Sequence, residues 1–236
     1  MKKDRKSNSE YWSKNLSSWE RSAYFKDKST GQKSTILDRF STYFRGDSIY
    51  NRMDGAFKII KEHVPGLKIL DVGCASGRFS VRMLEAGADS VIGVDVATSA
   101  IEMANQRLRG SPYEDKASFT KMDVTEKDGA LPDVALVTSL GVIEYFDKAS
   151  LEAFMSNLST RYFLFSFPLK PDTPAKFSFR GLLRSVYLMG KGCPGVFRYT
   201  KNEFSSIANK YGFNDVRFVS ANRQLFVTNL PEVGAE

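Results

Sequence analysis

The chain has 236 residues, 42% of them hydrophobic and 26% charged, enough for one sizeable α/β domain with an appendage and too few for two comfortable ones. Its formal charge of +7 is carried by residues 1–33 and 169–198, each at +5, which leaves −3 on the rest of the chain; two basic segments outside an acidic core suit acidic partners. No stretch approaches the roughly 18–20 apolar residues of a membrane helix, and the opening MKKDRKSNSEYWSKN lacks the apolar run of a secretory signal, so the chain reads as cytoplasmic.

Residues 1–33 are rich in Lys and Ser yet carry Tyr11, Trp12, Trp19, Tyr24 and Phe25. A disordered tail has few aromatics, so part of this segment is expected to pack on the body or close over a ligand. Residues 34–46 and 48–63 read as helices. In the second, Ile49, Met53, Phe57 and Ile60 recur at spacings of three and four, and Val64-Pro65-Gly66 stops the run. Residues 1–64 are thus expected to form a helical extension or cap ahead of a core at 65–236.

From there the pattern alternates. Leu67–Val72 reads as a strand, Phe79–Ala86 as a helix, and Ser90–Asp95 as a second strand. Ser99–Arg109 is a helix with Ser99 as N-cap and Gly110 as stop. Ala117–Met122 is a third strand, and Asp133–Ser139 a fourth, apolar without alternation because both faces are buried. A helix at 148–158, a strand at Tyr162–Phe167, a helix at 200–211 and strands at Val216–Val219 and Gln224–Thr228 follow. The last link is too short for a crossover helix, so the final strand must run antiparallel. The whole predicts a seven-stranded, mostly parallel sheet with an antiparallel last strand and helices on both faces.

In an open α/β sheet, ligands bind beyond the carboxyl ends of the strands. The first strand ends Asp71-Val-Gly73-Cys74-Ala75-Ser-Gly77, where small residues permit a tight turn and close backbone approach. The spacing G-x-A-x-G differs from the G-x-G-x-x-G that cradles a pyrophosphate, which points to a cofactor without phosphates. The second strand ends at Asp95, whose carboxylate can accept both hydroxyl hydrogens of a ribose. After the third stands Asp123-Val124, a carboxylate for an adenine amino group beside an apolar contact for the ring. The fourth ends Ser139-Leu140-Gly141 and runs into Val-Ile-Glu144-Tyr145-Phe.

ILDVGCASGRF, VIGVDVATSAIEMA, FTKMDV and DVALVTSLGVIEYF, in this order, resemble the class I S-adenosylmethionine-dependent methyltransferases, strongly over 67–167 and more loosely to 229. The resemblance implies a Rossmann-like fold and S-adenosyl-L-methionine as cofactor. It implies that Gly73, Cys74, Ala75 and Gly77 pass beside the methionine part, and that Asp95 with Val96 holds the ribose. Asp123 and Val124 would take the adenine, and Ser139 and Leu140 would wall the reacting methyl. Ala75 stands where many members have glycine. Arg52, on the helix before the first strand, is a candidate for the methionine carboxylate. SLGVIEYF looks like small-molecule O- or N-methyltransferases, with a distant likeness to the magnesium-protoporphyrin carboxylate enzymes. The Asn/Asp-Pro-Pro-aromatic motif of base-amine methylation is absent.

Glu144 and Tyr145 are the candidates for facing the acceptor; a general base is needed only if that acceptor is protonated. Residues 168–199 form a connection too long for an ordinary α/β loop, with aromatics among Lys170, Lys176, Arg180, Arg184, Lys191 and Arg198. This insert is expected to cap the substrate, with Arg180, Arg184 and Tyr187 toward an apolar or aromatic anionic acceptor. Cys74 and Cys193 lack metal-ligand spacing and His63 is the single histidine, so no metal is expected. An RNA methyltransferase and a non-catalytic cofactor-binding subunit are the alternatives. Neither the acceptor nor an oligomeric state is legible.

Overall fold

Four apolar segments, ending at Val72, Asp95, Leu140 and Ser166, bury consecutive residues on both faces, as inner parallel strands do, while the edge segment Ala117–Lys121 buries only Phe119. A computed structural model describes residues 5–24, 48–126, 129–170 and 196–232. In it, β1 (Lys68–Val72), β2 (Ser90–Asp95), β3 (Ala117–Lys121), β4 (Val134–Leu140) and β5 (Thr160–Ser166) are mutually parallel. β6 (Arg217–Ala221) and β7 (Gln224–Thr228) complete the sheet in the order β3-β2-β1-β4-β5-β7-β6, and β7 runs antiparallel to both its neighbours. This is the Rossmann-like arrangement that the sequence predicts.

The order reverses between β1 and β4, the switch point where such sheets bind ligands. Register sets Val72 beside both Val94 and Ser139, and Asp71 beside Thr138. The carboxyl ends of three strands therefore converge on one edge.

Helices cover both faces. Helix α2 (Ser48–Ile60) buries Ala56 and Ile60, and α3 (Arg78–Glu85) buries Phe79, Met83 and Leu84, against Ile69, Leu136 and Leu164. Alternate strand residues Leu70, Val137, Phe163 and Phe165 face α5 (Lys148–Asn157) and α6 (Lys201–Lys210), where Phe154 and Phe204 are fully buried. Helix α4 (Thr98–Leu108) packs Ala104 and Leu108 on Phe119 at the β3 edge. Its N-cap is Ala97; Ser99 stands inside the first turn, and its hydroxyl donates to Ser13 O at 2.9 Å. The cap prediction fails because an approaching helix claims that hydroxyl.

That helix is α1 (Arg5–Tyr24). Its mean hydropathy is low, so no apolar stripe announces it. The residues that meet the body still recur at helical spacing. Ser9 Oγ donates to Val96 O at 2.8 Å, Trp12 and Leu16 pack with Ala97 and Ala100, and Glu20 reaches Ser76. The predicted helix at 34–46 and Cys193 lie outside the described residues.

Candidate functional site

Asp71 ends β1 fully buried. Thr138 Oγ1 donates to its Oδ1 at 2.9 Å and Ser80 Oγ to its Oδ2 at 2.6 Å. Burial raises its carboxyl to about 6, against the lowering effect of those two hydroxyls. The side chain ties β1 to β4 and α3 beneath the turn, so its part in the site is to brace the turn.

The turn itself is held in left-handed backbone: φ is 73° at Gly73, 49° at Ala75 and 73° at Gly77. A Cβ on Gly73 would run into Val142 Cγ2, so this position needs glycine for space as well as for conformation. Gly73 N and Cys74 N both donate to Val94 O, at 2.7 and 3.1 Å. The Cys74 side chain turns into the core with Ala104, Leu108 and Phe119. Burial pushes that thiol well above its ordinary range, so it is no nucleophile.

Asp95 is fixed by backbone. Its Oδ2 accepts from Ala75 N at 3.1 Å and its Oδ1 from Ala97 N at 2.9 Å. A carboxylate has about four lone-pair sites, so both oxygens retain capacity for hydroxyl donors. Burial raises its carboxyl despite these amides. Asp123 Oδ1 accepts from both Thr125 N, at 2.9 Å, and Thr125 Oγ1, at 2.6 Å, while the Val124 side chain is buried in the core. Among the bonds formed, only one Asp123 oxygen, Oδ1, is engaged.

At the end of β4, Ser139 is fully buried and Leu140 half-buried. Gly141 has φ 82°, and a Cβ there would overlap Arg52 Nη1; the Arg52 guanidinium thus lies directly on this glycine. Arg52 Nη1 also stands 3.5 Å from Glu144 Oε1. Among the described residues, Arg52 Nε and Ser139 Oγ are buried without a hydrogen-bond partner. Such orphans are costly, and both lie at the β4 end of the site. Tyr145 packs edge-on against Trp12 with ring centroids 5.9 Å apart, and Trp12 shares the Leu16–Ala97–Ala100 cluster with Ala75. Helix α1 thus touches both the segment after β2, at Val96–Ala97, and the turn after β4, at Tyr145. Farther along α1, Glu20 accepts from Ser76 N and Oγ at 3.2 and 2.7 Å, with Arg78 Nε 3.6 Å away.

The ends of the insert are anchored here too. Lys170 N donates to Tyr199 O at 2.8 Å, Phe197 N to Glu144 O at 2.6 Å, and Tyr199 Oη to Phe146 O at 2.7 Å. Arg180, Arg184 and Tyr187 lie outside the described residues.

Residues 69–161 match the family model described as a methyltransferase domain. This segment is similar to methyltransferase domains, and its fold is that of the class I enzymes. The family's cofactor is S-adenosyl-L-methionine. The methyltransferase fold extends beyond the matched segment. The magnesium protoporphyrin IX methyltransferase of Synechocystis PCC 6803, solved with bound S-adenosylhomocysteine, is 20% identical with a TM-score of 0.63, covering 95% of this chain and 97% of that one. An S-adenosylmethionine-dependent methyltransferase from Mesorhizobium loti is 17% identical with a TM-score of 0.54, covering 75% and 97%. Among curated proteins, the tRNA U34 carboxymethyltransferase of Pseudomonas fluorescens (strain Pf0-1) is 52% identical over 46 residues, 19% of this chain and 14% of that protein's length.

The residues present fit the cofactor: a glycine turn without room for side chains, a carboxylate with spare lone pairs at Asp95, a second at Asp123, and an underused guanidinium at Arg52. Sequence reasoning singled out these positions but not Ser76, Gly141 or Glu20. Ser76 and Gly141 are small turn residues whose partners are tertiary, and Glu20 lacks any local signal because its partner lies 56 residues away.

Proposed function

We propose that this chain is an S-adenosylmethionine-dependent methyltransferase that moves a methyl group to an oxygen or nitrogen of a small, anionic metabolite, acting in the cytoplasm. The observation that carries the small-acceptor reading is the roof. Helix α1 packs Trp12 against Tyr145 after β4, and Trp12 and Leu16 against Ala75, Ala97 and Ala100, so it lies over the turns that follow β1, β2 and β4. A covered site of this kind suits a metabolite better than a folded polymer.

When bound, the cofactor supplies a methyl group already activated on a sulfonium. The chain's own residues position it. Asp95 accepts the ribose hydroxyls, Asp123 the adenine amino group, and the Gly73–Gly77 turn brings backbone against the methionine part. Arg52 donates toward the methionine carboxylate, and Ser139 and Leu140 wall the reacting methyl. Glu144 Oε1 orients Arg52, and Tyr145 bounds the acceptor. Holding acceptor and methyl in near-attack geometry supplies roughly 7–11 kcal/mol of the barrier reduction. A carboxylate or neutral amine acceptor needs no base, which suits a site with no histidine among its candidates. Arg180, Arg184 and Tyr187 of the insert, whose ends are held at Lys170 and Phe197–Tyr199, are the candidates to meet the acceptor's negative charge.

An RNA acceptor is the competing reading, favoured by the short match to a tRNA-modifying enzyme and by the two basic segments. The deciding experiment is a thermal-shift screen of acceptor classes with S-adenosylhomocysteine present, followed by mass spectrometry of the stabilising compounds with the active cofactor. Gain of one methyl by an anionic metabolite, with a raised KM in Arg180→Ala/Arg184→Ala, is expected. Tight, steeply salt-dependent RNA binding with methyl transfer to RNA would overturn the small-acceptor claim. Cofactor binding without transfer to any acceptor would mark a non-catalytic subunit.

A further inference from the structure

The C-terminal hairpin, far from the cofactor motifs in sequence, grips the helix that carries Arg52. The β6–β7 turn places Asn222 and Arg223 in left-handed backbone, at φ 48° and 61°, as a two-residue hairpin turn requires. From that turn Asn222 Nδ2 donates to Asp54 Oδ2 at 2.5 Å, and Lys58 Nζ donates to Asn222 Oδ1 at 2.9 Å. Arg82 on α3 donates to Asp54 Oδ1 at 3.0 Å and stacks over the Phe57 ring at 4.0 Å. Between them, α2 lies so close to the hairpin that a Cβ on Gly55 would stand 3.0 Å from both Ala221 O and Phe226 Cε2. Burial works against the Asp54 carboxylate, yet hydrogen bonds from Arg82, Asn222 and Lys58 together hold its carboxyl below the ordinary range.

At about 100° per residue, Asp54 and Lys58 stand roughly 160° and 120° around α2 from Arg52, and Gly55 roughly 60° from it, so the hairpin holds the helix on more than one side. The grip thus fixes the roll of the helix, and the roll fixes where the guanidinium falls. That placement is exacting, because Arg52 rests on bare Gly141 and its Nε and the Ser139 hydroxyl are buried unpaired.

We propose that Asp54 and Asn222 are positioning residues: by clamping α2 to the β6–β7 turn they hold Arg52 over Gly141 and so set the site's affinity for the cofactor's carboxylate. This rests on the reading of Arg52 given above. The test compares two probes on the full chain by calorimetry: S-adenosylhomocysteine, which has the amino-acid carboxylate, and methylthioadenosine, which lacks it. Arg52→Ala should cut the preference for the first by roughly ten- to a hundredfold, the loss of a charge-assisted pair. Asn222→Gly suits the left-handed backbone and removes only the amide. It should cut the preference by about three- to tenfold while leaving methylthioadenosine affinity unchanged, and Asp54→Ala should do the same. If Arg52→Ala leaves the preference intact, the reading of Arg52 fails. If Arg52→Ala lowers it and Asn222→Gly does not, the positioning inference alone fails. Equal weakening of both probes would mark a general structural role and also overturn it. Should Asp54→Ala not fold, Asn222→Gly carries the test.

Discussion

Asp71 and Asp95 end neighbouring strands, yet their surroundings separate their tasks. Asp71 is enclosed by hydroxyls from two other elements, whereas Asp95 accepts only backbone amides and keeps room for a ligand. The Asp71 carboxyl titrates at about 6 in the fold against 3.8 for the free side chain. Between those values the folded state binds the proton more tightly. The stability from protonated Asp71 is therefore fully present below the lower value and lost as pH rises through the upper one. The effect amounts to about 3 kcal/mol. Asp71→Asn can keep both contacts without the charge, so its urea midpoint should lose the parent's decline between about pH 4 and pH 7. A parallel decline in the variant would assign the slope elsewhere. Asp95→Ala, by contrast, should weaken S-adenosylhomocysteine binding by roughly tenfold or more, measured by calorimetry. The residue types at both strand ends were legible because a strand followed by a small-residue turn fixes where they stand. Their division of labour was not, since Ser80 and Thr138 approach Asp71 only through packing.

At the scale of elements, the strands and crossover helices followed from apolar runs and their spacing, and the short 220–223 link dictated the antiparallel end. Helix α1 did not follow, because its partners are tertiary. Its only buried apolar side chain among the described residues is Leu16, and its hold on the body comes from Ser9, Trp12 and Glu20. Both tryptophans of the chain, Trp12 and Trp19, lie in α1, so tryptophan emission, excited apart from tyrosine, reports this element. Glu20→Ala removes the acceptor of two Ser76 bonds, and its emission should shift to the red relative to the parent. An unchanged spectrum would mean that Trp12 and Leu16 suffice to hold the helix. A side chain on Gly141 is the complementary test. Gly141→Ala both strains a left-handed residue and displaces Arg52, so it should lose stability by about 1 kcal/mol or more and also weaken cofactor binding.

For the molecule as a whole, the order of opening follows from where contacts concentrate. β1 and β4 lie between strands on both sides, and Phe163 stacks on Phe165 with centroids 4.6 Å apart beneath α5 and α6. Amide hydrogen exchange should be slowest in β1, β4 and β5, where only global unfolding exposes the backbone, and faster in α1, which can lift without breaking the sheet. S-adenosylhomocysteine should slow exchange in α1 and in 73–77 more than in α6. Uniform protection across the chain would argue against α1 as a separable cover.

The sequence by itself determined the seven-stranded order of elements, the glycine turn and the carboxylates at the strand ends. Each of these depends on neighbours within a few residues: an apolar period, a left-handed turn, a strand end. Only the tertiary structure decided what those groups do to one another. Asp71 became a brace, Arg52 came to rest on Gly141, and Glu20 met Ser76. The β6–β7 turn closed on α2 across 168 residues. Such contacts are fixed by how helices roll on a sheet, and that roll is set by the packing of the whole core.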